Sequence, residues 1–82
     1  RRWIGCNCVG FESRKKLEKH LEDLPVKLYD FENDMCILVV SLDNYDNVKS
    51  KLTSGRVISQ TSSGKIRLVR DRMGFTRKPR KR

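Results

Sequence analysis

Apolar positions concentrate in one run, Met35 to Leu42, interrupted only by Ser41 and bounded by Asn33-Asp34 on one side and Asp43-Asn44 on the other. A run of this length, β-branched in its middle and closed by turn residues, predicts a strand buried on both faces. Alternation assigns Cys36, Leu38, Val40 and Leu42 to one face and Met35, Ile37 and Val39 to the other. The flanking segments follow the same logic. Trp3 to Phe11 predicts a first strand, with Ile4, Cys6 and Cys8 facing one way and Trp3, Gly5, Asn7, Val9 and Phe11 the other. Its glycines mark a bulge or a close backbone approach. Leu17, Leu21 and Leu24 form the apolar stripe of a helix over residues 12–24, with Ser13 able to cap its start and Pro25 stopping it.

Val26 to Glu32 predicts a strand that pairs with the Met35 run through an Asn33-Asp34 turn. Tyr45, Val48 and Leu52 mark a second helix, capped at Asp43 or Asn44 and ended by Gly55. Val57 to Gln60 and Lys65 to Val69 predict two more strands, joined by Thr61-Ser62-Ser63-Gly64. The order is βαββαβ plus one extra C-terminal strand. That is the order of an α+β ferredoxin-like split βαβ plait, in which strands 1 and 3 lie together at the centre and both helices cover one face. The expected organisation is a single domain over residues 1–72 and a basic tail over 73–82, in which Arg77 to Arg82 cannot bury anything and is expected to be disordered when free.

Charge changes this picture at one end of the chain. The net charge is +9 over 82 residues. Residues 1–64 carry ten Lys/Arg against nine Asp/Glu, whereas residues 65–82 carry nine against one. A basic segment on a nearly neutral body predicts an anionic partner, and nucleic acid is the first candidate. The candidate phosphate contacts are Arg14, Lys15, Lys16 and Lys19 on the first helix, Lys65, Arg67, Arg70 and Arg72 on the last strand and beyond it, and Arg77, Lys78, Arg80, Lys81 and Arg82 in the tail, with Arg1 and Arg2 leading in. The cations in the first turn of helix 1, with Glu22 and Asp23 in its last, oppose the helix dipole, which reads equally as an anion site or as a solvated charged face. Trp3, Phe11, Tyr29 and Phe31 are candidate platforms for unpaired bases. The aromatic motif of the common RNA-recognition modules is not present on the Met35 strand.

Other chemistry has less support. Cys6, Cys8 and Cys36 lack metal-site spacing and read as buried apolar residues in a reducing, intracellular setting, nucleus or cytoplasm. His20 has no nucleophile beside it, and the segment Val9 to Arg14 lacks the residues to position water for acyl-phosphate hydrolysis. No enzyme activity, cofactor or membrane span is expected, and the Arg-Arg-Trp start suggests a segment of a longer product. The leading expectation is therefore a nucleic-acid-binding module, for DNA or RNA. The alternative is a homodimerisation or protein-interaction domain, with Trp3, Val9, Met35, Ile37 and Val39 as the interface and the tail as a nuclear-import signal. The question left by the pattern is what covers the Met35/Ile37/Val39 face.

Overall fold

The computed structural model describes residues 1–75 and is α+β: a four-stranded antiparallel sheet with three helices. The elements are β1 (Arg2–Cys8), α1 (Arg14–His20), β2 (Val26–Glu32), β3 (Met35–Val40), α2 (Leu42–Lys51), β4 (Val57–Ser63) and α3 (Ile66–Met73). The sheet order is β2-β3-β1-β4, so the apolar β3 and the cysteine-bearing β1 occupy its centre, with Cys6 directly opposite Cys36 and Gly5 opposite Ile37. Asn33, in the left-handed region at φ 55°, makes the tight β2–β3 turn, a conformation that asparagine tolerates better than most side chains.

Two layers of side chains sandwich this sheet. On one face, Ile4, Cys6, Cys8, Leu28, Cys36, Leu38, Val40 and Val57 meet Leu17 and Leu21 of the α1 region and Val48 and Leu52 of α2. On the other, Ile37 packs with Val69 and Phe75, and Trp3, Met35, Ile66 and Met73 close around them. Ile37 has 0% exposure. The cover missing from the sequence pattern is α3.

That helix corrects the expected C-terminal strand. Lys65-Ile66-Arg67-Leu68-Val69 alternates as a strand does, but Ile66, Val69 and Met73 also fall at i, i+3 and i+7, and this helical stripe is what packs on the sheet. Leu68, which a strand would have placed in register with Ile66, is left 39% exposed. Gly74, at φ 77°, ends the helix in the left-handed cap that glycine adopts without strain. The neighbouring expectation shifts too: Thr61, Ser62 and Ser63 belong to β4 rather than to a hairpin loop.

Three boundaries also move. β3 ends at Val40, Ser41 takes the N-cap position of α2, and Leu42 is 62% exposed in the first turn of that helix rather than in the core. Helix α1 stops at His20, so Glu22 and Asp23 lie beyond it and its last turn carries Lys19 and His20, in agreement with the dipole. Phe11 lies past the end of β1 and packs on the α1/α2 side, at 5.1 Å from the His20 ring.

Both outer strands have hydrogen-bonding groups engaged by side chains or loops. Arg14 Nη2 donates to Leu28 O at 2.8 Å and to Tyr29 O at 3.2 Å on β2. On β4, Arg72 Nη1 donates to Ser62 O at 3.2 Å, and Ser59 N donates to Leu52 O at 2.8 Å.

Candidate functional site

The cations divide into those the fold uses and those it leaves to solvent. Arg14 bonds to the β2 carbonyls and pairs with Glu18 at 3.5 Å. Lys16 pairs with Glu12. Arg70 forms a half-buried ion pair with Asp30 of β2, and its guanidinium lies 5.4 Å from the Phe75 ring centroid. Arg72 bonds Thr61 Oγ1 at 3.1 Å as well as Ser62 O. Arg14, Arg70 and Arg72 thus tie α1 and α3 to the sheet, and the Lys16 pair is local to the start of α1. The side chains of Lys15, Lys19, Lys65 and Arg67 are exposed and without a carboxylate partner among the described residues. Arg77, Lys78, Arg80, Lys81 and Arg82 lie outside the described residues.

The fold also separates the two basic helices. Helix α1 packs on one face of the sheet and α3 on the opposite one, so Lys15 and Lys19 do not share a surface with Lys65 and Arg67. The first turn of α1 has local partners for Arg14 and Lys16, and at seven residues the helix is short for an anion site. Ahead of it, Arg56 fills the turn after β1: its Nε and Nη2 donate to Val9 O and Gly10 O at 3.2 and 2.6 Å, and its guanidinium lies 4.1 Å from the Phe11 ring centroid. That loop turns carbonyls toward a cation, the reverse of a phosphate cradle.

The strand register gathers a different set of cations. Trp3 of β1 stands opposite Val39 of β3, which stands opposite Lys27 of β2, while on its other side Trp3 faces Ser63 of β4. Arg1 and Arg2 therefore start at the same end of the sheet where Lys27 sits and where β4 hands over to Lys65 and Arg67. An open depression of about 720 Å³ at this end is lined by Arg1, Lys27, Val39, Val40, Leu42 and Asp43 among others. A second, of about 560 Å³, is lined by Lys65, Ile66, Arg67 and Leu68. Lys27 was not singled out in the sequence, where it is one lysine in an alternating strand. Only the pairing partner of Val39 reveals its position.

Of the candidate aromatics, Phe11 and Phe31 pack toward the α1/α2 core, which removes them as platforms. Trp3 and Tyr29 remain on the α3 side, edge to face with centroids 4.9 Å apart, and Tyr29 is 51% exposed. Tyr29 sits at a bulge: the register with β3 shifts between Leu28 and Asp30, leaving Tyr29 unpaired.

The candidate interface residues are spread over both surface and interior. Ile37 has no exposed area, Trp3, Met35 and Val39 are half-buried, and Val9, past the end of β1, is 62% exposed. A partner could reach Ile37 only by displacing α3.

The three cysteines are buried and none is in a disulfide. Burial, followed by the neighbouring Cys36, pushes the Cys8 thiol up to about 12. Cys36 is pushed up further still, first by its hydrogen bond with Cys6 and then by burial. Such thiols are poor nucleophiles and poor metal ligands at neutral pH. Among the described residues no group of three or more His, Cys, Asp or Glu is arranged to hold a metal ion. No described helix is long and apolar enough to cross a membrane. No family model, curated protein or solved structure matches the chain.

Proposed function

We propose that this chain is a non-enzymatic nucleic-acid-binding module on a ferredoxin-like split βαβ plait. The strand order β2-β3-β1-β4, with α1 and α2 on one face, supports the plait; α3 is then an addition that covers the second face. The observation that carries the binding reading is the gathering of Arg1, Lys27, Lys65 and Arg67 at one end of the sheet, with Arg2 at that end on the other face, over the Tyr45 ring, and Asp43 as the acidic residue lining the depression there. Cations gathered this way repel one another, and phosphates from a ligand relieve that repulsion. The tail adds further positive charge in the sequence. An odd number of cysteines, all buried and none in a disulfide, supports an intracellular setting.

The test is a binding titration at two salt concentrations. With about five phosphates neutralised at the sheet end, affinity falls roughly 100- to 500-fold between about 50 and about 200 mM salt. Lys27→Ala and Arg67→Ala each flatten the slope, whereas Lys15→Ala does not. Deleting Arg77–Arg82 flattens it further and weakens all sequences about equally. An affinity that does not change with salt would overturn the proposal.

A further inference from the structure

We infer that the exposed aromatic pair, Tyr29 with Trp3, stacks unpaired bases, so that the ligand is a single strand of RNA or DNA in preference to a duplex; this rests on the nucleic-acid reading above. The bulge supplies the first argument. A tyrosine in regular register would lie along the pleat among its neighbours, but Tyr29 has no partner on β3 and is held by Arg14 Nη2 at its carbonyl. Bulges re-aim side chains, and this one leaves half of the Tyr29 surface to solvent. Trp3 is itself half-buried against the α3 layer. Its contact at an interplanar angle of 78° supports the Tyr29 ring from one side without stacking on it, so a ring face of Tyr29 stays available.

Charge supplies the second. Lys27 lies two residues before Tyr29 and opposite Val39, and Arg1 lines the same depression as both Lys27 and Val39. Across the sheet, Lys65 and Arg67 follow Ser63, the β4 partner of Trp3. The flanks are three strand spacings apart, roughly 14 Å. Cations on both sides of an aromatic surface suit a backbone that crosses the sheet end with a base turned down onto the ring. In a duplex the π-faces are already stacked, and only groove edges and phosphates are on offer. The ring then contributes nothing, and duplex binding depends on the cations alone.

Trp3 is the only tryptophan in the chain, so its fluorescence reports from the site. Oligonucleotides of about ten nucleotides, as single-stranded DNA, single-stranded RNA and the matching DNA duplex, are titrated against the full chain at one salt concentration. The single strands are expected to quench Trp3 and to bind more tightly than the duplex. Tyr29→Ala should weaken them roughly 5- to 100-fold while leaving the duplex unchanged, and Tyr29→Phe should retain binding. The two single-strand arms decide whether ribose matters. Equal binding of single strand and duplex would overturn this inference and leave the nucleic-acid reading standing, as would a Tyr29→Ala variant that binds single strands normally. Failure of all three oligonucleotides to bind would overturn both.

Discussion

A Cβ at position 5 would stand 2.6 Å from Met73 Cγ and 2.9 Å from Val69 Cγ1. Gly5 is therefore where α3 comes down onto β1, and the bulge between Gly5 and Cys6 in the β1–β4 pairing lies at the same point. Methionine can bend away, but the Val69 side chain is stiff, so Gly5→Ala is expected to lift α3 and to lower stability by about 1–3 kcal/mol, read from a urea titration. The cysteines give a residue-scale prediction in pH. The Cys8 thiol moves from an ordinary 9.0 to about 12 on folding, so the folded state holds its proton longer than the unfolded one. Its contribution is present in full below about pH 9 and is lost as pH rises toward 12, with a slope of about 1.4 kcal/mol per pH unit per thiol. The urea midpoint should fall with that dependence above pH 9, and Cys8→Ser should remove part of it. A midpoint that stays level would place the thiols in contact with water.

Among the elements, β3 and α1 were the most legible. β3 declares itself by an apolar run too long for one buried face, and α1 by a leucine stripe behind Ser13, whose Oγ accepts from Lys16 N at 3.4 Å. Helix α3 was legible only in part. Over Lys65 to Val69 a two-residue and a three-to-four-residue period fit equally well, and Met73, which decides between them, falls outside that window. The missed helix and the uncovered β3 face were one error, since each element is the other's partner. This changes what a substitution at Ile37 means. On an open sheet face, Ile37→Asp would dissociate a dimer and leave folded monomers. Beneath α3 it buries a carboxylate without a partner, so the variant is expected to be unfolded by circular dichroism, and Ile37→Ala to lose about 2–5 kcal/mol. A folded, monomeric Ile37→Asp would show that α3 does not cover this face in solution.

At the scale of the molecule, the amount of positive charge is legible along the chain but its distribution is not. Counting cations along α1 and the C-terminal segment marks Arg14, Lys16, Arg70 and Arg72 as readily as Lys65 and Arg67. Geometry divides them: Arg14 and Arg72 reach strand carbonyls and Arg70 the half-buried Asp30 carboxylate, whereas Lys65 and Arg67 have no carboxylate partner among the described residues. The Trp3–Val39–Lys27 row is a product of strand register, which no local pattern encodes. Two of the structural arginines have a further consequence. A four-stranded sheet ends in two rows of backbone donors and acceptors, and each row invites another chain to continue it. Here Arg14 occupies carbonyls on the β2 side, and Arg72 with the Leu52 carbonyl occupies groups on the β4 side. The same side chains that hold α1 and α3 to the sheet thus oppose its growth by strand addition.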